Sequence, residues 1–135
     1  MIVLDTNAVI AILNGKPPSV RRRLVEALDV GEKVSISVVT LFELRYGAAR
    51  SARPEENSKR IDDFLSGPIE VYAFDADDAA EAGRLRATLE AKGRPIGPFD
   101  LLIAAHALRL GASVVTANRR EFERVDALTV IDWTV

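Results

Sequence analysis

The chain has no cysteine and only one histidine in 135 residues. Without thiols there is no disulfide framework, no cysteine nucleophile and no finger-type zinc site, and one imidazole cannot form a two-histidine acid/base pair. Metal chemistry is left to oxygen ligands. Long apolar runs are lacking as well. The opening Met1-Ile2-Val3-Leu4 is broken at Asp5 and has no basic segment before it, unlike a signal peptide; the stretch 101–110 is broken by His106 and Arg109. That stretch is shorter than the ~20 residues a membrane span requires. A cytoplasmic protein with no membrane association is expected. Nor is there an excess of cations. Eighteen Lys+Arg against twenty Asp+Glu give a net charge of −2, which argues against generic nucleic-acid binding over the whole surface but leaves room for a local basic face. Lysine occurs only at positions 16, 33, 59 and 92, so fourteen of the cations are arginine. The arginine fork suits phosphate, although a GC-rich genome would produce the same bias. The phosphate-cradling loops G-x-x-x-x-G-K-[ST] and G-x-G-x-x-G are missing, as is the G-x-S-x-G elbow of a serine nucleophile.

What is present is a regular alternation. Short apolar runs at residues 2–4, 34–37, 71–73 and 113–116 read as buried strands, with 129–131 as an edge strand. Helical patterns fill the intervals at 6–13, 19–30, 39–49, 54–65, 76–92 and 99–110. The clearest is 76–92, where Ala79, Ala82, Leu85 and Leu89 recur at helical spacing between a capping Asp75 and a terminating Gly93. Strands separated by helices imply a parallel sheet of four to five strands covered on both faces, an α/β sandwich. The length fits one domain over residues 1–135, and Pro17-Pro18, Gly67-Pro68 and the 93–98 segment punctuate that unit.

Ligands of open parallel sheets bind outside the carboxyl ends of the strands. Three acids and an amide fall there: Asp5 after the first strand, Glu43 in the helix after the second, Asp100 opening the helix before the fourth, and Asn118 after the fourth. Singly, each has a plain structural reading. Asp5 can be a helix N-cap, Glu43 a surface residue beside Arg45, and Asp100 a first-turn acid facing its own helix terminus. Asp100 is the most telling, because its helix is apolar all round and a carboxylate there needs a partner. His106 lies about 240° around that helix from Asp100, off its face, and reads as a core histidine. Taken together, clustered carboxylates repel unless a cation neutralises them, and hard oxygen donors select Mg²⁺ or Mn²⁺. Such an ion can generate hydroxide and stabilise the leaving oxygen of a phosphodiester, so the ligand type points to a metal-dependent nuclease. A phosphatase of the haloacid-dehalogenase type fits less well, because Asn7 stands where its second aspartate would be.

Asp5-Thr6-Asn7, the run Ser37 to Leu44, Pro95-Ile96-Gly97-Pro98-Phe99-Asp100, Val115-Thr116-Ala117-Asn118 with Glu121-Phe122, and Ile131-Asp132-Trp133 occur in an order that resembles the PIN-domain ribonucleases, specifically the VapC toxins of bacterial type II toxin-antitoxin modules. The resemblance implies a PIN-like three-layer α/β/α sandwich and a Mg²⁺- or Mn²⁺-dependent endoribonuclease acting on cellular RNA, often tRNA. It also implies a homodimer and neutralisation by a small antitoxin. Asp5, Glu43 and Asp100 match the family's acidic triad, with Asp5 and Asp100 as direct metal ligands. Thr6, Asn7 and Thr116 match its supporting polar positions. The departure is Asn118, where many members carry aspartate; Glu121, three residues on, is the other candidate for the fourth charge. The alternative is a catalytically weak PIN-like module that binds RNA or protein.

Overall fold

The computed structural model describes residues 1–135. Five strands, β1 (Ile2–Leu4), β2 (Val34–Ser37), β3 (Ile69–Tyr72), β4 (Ser113–Val115) and β5 (Val130–Ile131), pair in parallel in the order β3-β2-β1-β4-β5. The helices are α1 (Thr6–Asn14), α2 (Pro18–Asp29), α3 (Val38–Ala49), α4 (Pro54–Leu65), α5 (Ala76–Ala91), α6 (Pro98–Leu110) and the short α7 (Arg119–Phe122). The strand period of two sorts the core into two slabs. Ile2, Leu4 and Ile36 point to one face, where Val9, Ile12, Leu44, Ile61 and Trp133 cover them. Val3 and Val114 point to the other, against Leu101, Ile103, Ala104 and Phe122. This is the expected three-layer sandwich, and no helix is long and apolar enough to cross a membrane.

The departures from expectation are local and have physical causes. Helices α2 and α6 begin one residue early because Pro18 and Pro98 occupy the first turn, where the missing N–H costs nothing. Strand β3 begins at Ile69, two residues before the expected run, directly after Gly67-Pro68. It is an edge strand with Glu70 and Val71 exposed, so its apolar signal is weak. Helix α7 is a single turn, too short to show periodicity.

The sheet order places β1 and β4 side by side with their outer neighbours added in opposite directions. That is the switch point where the loops leaving the carboxyl ends diverge and open a crevice. Asp5 leaves β1 there, and Thr116 and Asn118 leave β4.

Candidate active site

Asp5 is 2% exposed and ends β1 in extended geometry. Its Oδ1 accepts from Ala8 N at 2.8 Å, so it does cap α1; the capping and site readings hold together. Burial raises its pKa above the ordinary carboxylate value. The charges of Glu43 and Asp132 push the same way, against hydrogen bonds from the Thr116 hydroxyl and Ala8 N–H.

Glu43 lies in the second turn of α3 and accepts from Thr6 Oγ1 at 2.5 Å, and Thr6 also stands 3.4 Å from Thr40 Oγ1. The first residue of α1 therefore holds an acid of α3. Asn7, next in line, is exposed and makes no side-chain hydrogen bond; it borders a shallow depression with Thr116 and Thr134.

Asp100 is in the first turn of α6, behind Gly97, which offers no side-chain cap. Its pKa is pushed up to about 6, first by burial, then by the charge of Asp5, and by Glu121, to which the protonated carboxyl donates. Asn118 joins this pair: Nδ2 donates to Asp100 Oδ2 at 3.3 Å and to Glu121 Oε2. Flipping the amide would set Oδ1 against two acceptors, so the donor orientation is fixed by the partners. The Asn118 N–H in turn donates to Thr116 Oγ1 at 2.9 Å. Of the residues singled out from the sequence, all but Asn7 join one network of bonds and charges.

Asp132, which the sequence reading includes only in the closing Ile131-Asp132-Trp133 motif and gives no site role, has a charge that reaches Asp5. It follows β5 directly, so the same strand-end rule that singles out Asp5 would have found it. His106, by contrast, is 1% exposed and tied to Ser37 and Asp78, a core histidine as expected.

No three of the chain's His, Asp and Glu side chains close into a ready-made ligand set. What the crevice holds is an oxygen-only donor set under mutual repulsion, which a hard cation with a few protein ligands and several waters would relieve. The charges of Asp5 and Glu121 act on Asp100, and that of Glu43 acts on Asp5.

Fold and crevice together define an α/β/α protein of the acidic-centre class. The PIN domain family model matches residues 2–128. The tRNA(fMet)-specific endonuclease VapC of Shigella flexneri is 48% identical over 132 residues, covering 98% of this chain and 97% of that protein. A chain of VapBC2 from Rickettsia felis, solved bound to a DNA fragment from its promoter, superposes with a TM-score of 0.90 at 40% identity over 98% of this chain and 99% of that one. The DNA-bound VapBC of Salmonella typhimurium superposes at 0.89 with 41% identity over 98% and 97%. The chain belongs to the PIN-domain family, among its VapC ribonucleases.

Proposed function

We propose that the chain is a divalent-metal-dependent endoribonuclease toxin of the cytoplasm, held in check by a cognate antitoxin. The observation that carries this reading is the Asp100–Glu121 carboxyl pair within reach of Asp5's charge at the switch point of the sheet, repulsion that a cation-free fold would have no use for. Asp5 and Asp100 would hold Mg²⁺ or Mn²⁺, with Glu43 and Glu121 supplying further charge or orienting its waters. When bound, the ion supplies Lewis acidity for making hydroxide and for neutralising the phosphodiester. Thr6 keeps Glu43 turned inward, and Thr116 and Asn118 steady Asp5 and the Asp100–Glu121 pair. Glu43 and Glu121 would accept the proton that an attacking water loses. The intact acids favour the enzyme over a retired binding module.

Because the relative at 48% identity is a tRNA(fMet)-specific endonuclease, initiator tRNA is the substrate class to test first. The neighbouring structures are toxin-antitoxin complexes, and here a groove of about 230 Å³ between α1, α3 and α4, with Glu43 among its lining residues, fits an amphipathic antitoxin segment. A homodimer is the assembly we expect. The deciding experiment incubates the purified chain with a tRNA pool plus Mg²⁺ or Mn²⁺, with and without chelator, and maps new 5′ ends. Metal-dependent cuts that disappear in Asp100→Asn support the reading; cleavage surviving in chelator, or in Asp100→Asn with metal, overturns it.

A further inference from the structure

Helices α3 and α6 carry Glu43 and Asp100, and a hydrogen bond fastens them together well away from either acid. His106 Nδ1 lies 2.7 Å from Ser37 Oγ. The other ring nitrogen, Nε2, lies 3.7 Å from Asp78 Oδ2, and the Ala73 backbone also acts on the ring. The carboxylate on that side favours the proton on Nε2, and the neutral ring then leaves Nδ1 as an acceptor. Ser37 must therefore donate its hydroxyl to Nδ1 while its oxygen accepts from Val39 N at 3.1 Å. In that tautomer the bonds run one way, from Val39 N–H through the Ser37 hydroxyl to His106 Nδ1. Burial does hold the imidazole pKa below its ordinary value; Asp78 and Asp75 oppose this, and Arg109 pairs with Asp77 and Asp78 beside them. From β2 the Ser37 hydroxyl meets the ring, and Phe74 packs edge-on against it at 5.4 Å.

We propose that His106 is a positioning residue for the carboxylate centre: through Ser37 it fixes where α3 starts relative to α6, and hence how far Glu43 stands from Asp100. Ser37 ends β2 and is the N-cap of α3, six residues before Glu43, and His106 stands six residues after Asp100. Six helical residues are about 9 Å of rise, so the tie sits well below the acids. The same two helices touch again beside the acids, where the rings of Phe42 and Phe99 lie 5.6 Å apart. Two ties at different heights set both the spacing and the angle of the helices, and one alone would leave a hinge. An apolar side chain of equal size would fill the space without the cost of burying an imidazole, so filling does not account for the histidine.

This inference rests on the metal reading above, and the test separates the two. Mn²⁺ is titrated calorimetrically, without RNA, into the full chain and into His106→Leu, His106→Asn and Ser37→Ala, with melting temperatures taken alongside. We expect Mn²⁺ affinity to fall about tenfold in His106→Leu and in Ser37→Ala, within the range for groups that orient metal ligands. His106→Asn, whose Oδ1 can still accept from Ser37, should recover most of the affinity. Because the chain has one histidine, ¹⁵N-histidine labelling reports its tautomer in the wild type without assignment. The Nε2–H form is expected whether or not any variant folds. Wild-type affinity in folded His106→Leu, or an Nδ1–H tautomer, overturns the positioning role; a wild type that binds no Mn²⁺ overturns the metal reading and this inference with it.

Discussion

The molecule buries ionisable side chains in two places and treats them oppositely. Around Asp78 and His106, each polar atom has a complementary neighbour: Asp78 accepts from Asp75 N at 2.8 Å, lies within 3.6 Å of Arg109, and faces a neutral imidazole that is itself bonded to Ser37. Around Asp5 and Asp100, acids face acids, and both pKa values rise. The first arrangement is complete without any ligand. The second tempers its repulsion through the hydrogen bonds that Asn118 gives Asp100 and Glu121 and that Thr116 gives Asp5. Burial alone therefore does not distinguish a structural cluster from a functional one. The sign of the neighbours does.

If that contrast is right, removing an acid should have opposite consequences in the two places, and the largest effect is on catalysis. Asp100→Asn should lower RNA cleavage by about 10³-fold or more while leaving the metal-free melting temperature equal or higher, since like charges are relieved. Asp5→Asn should behave alike, because Asn keeps an oxygen for Ala8 N; Asp5→Ala is the poorer test because it also removes the cap of α1. In the complete cluster the sign reverses. Asp78→Ala strips the Asp75 N–H of its acceptor and should cost about 2 kcal/mol, a fall in Tm of about 6–10 °C. Thermal melts without metal decide: a destabilised Asp100→Asn or an unaffected Asp78→Ala erases the distinction.

Stability against pH gives a smaller effect that sharpens it. A carboxyl whose folded pKa is raised binds protons more tightly in the folded state, so its contribution is present at low pH and is lost as pH rises through about 6 for Asp100. Because Asp100 is part-exposed, that loss is on the order of 1 kcal/mol after discounting for solvent screening. His106, with its pKa depressed, contributes in the opposite sense: its share is present above the ordinary histidine value and is lost as pH falls through its lowered folded value. Metal-free denaturation from pH 4 to 8 should show the Asp100 limb vanish in Asp100→Asn and the acid limb remain. Mn²⁺ should also raise Tm more at pH 7.5 than at pH 5.5, where Asp100 is protonated. An equal rise at both values speaks against Asp100 as a ligand.

The same contrast explains what the sequence could and could not convey. Strand and helix positions were legible because Ile2, Leu4 and Ile36 on one side and Val3 and Val114 on the other follow simple periods into two cores. The edge strand β3 begins two residues before the expected run because the exposed Glu70 separates Ile69 from Val71 and Gly67-Pro68 precedes it. Asp5 and Asp100 stand out as charges in apolar surroundings; Asp132, set between Ile131 and Trp133, carries the same signal but follows only a short edge strand. The sequence-local readings of Asp5, as cap or as ligand, looked like rivals. Its two oxygens allow both, which one-dimensional reasoning could not separate. The Ser37–His106–Asp78 association was invisible for a different reason, since it joins three elements through side chains 69 and 28 positions apart.

The smallest expected effect concerns the fourth charge. Asn118 spends its Nδ2 on Asp100 and Glu121, which favours Glu121 as the fourth acid and Asn118 as the clamp that holds it near Asp100. Glu121→Gln should then weaken Mn²⁺ binding several-fold and draw the Asp100 pKa back toward the ordinary carboxylate value, because the charge repulsion is lost. Asn118→Ala should weaken binding less, by freeing the pair without removing charge. Asn118→Asp sets a third carboxylate against two; it should lower metal-free Tm and recover the loss as Mn²⁺ is added. Calorimetric Mn²⁺ titration of the three variants, without RNA, ranks them directly. Should Asn118→Asp tighten binding or add a second site while Glu121→Gln changes nothing, the fourth position belongs to residue 118, and Glu121 is only a neighbour of the centre.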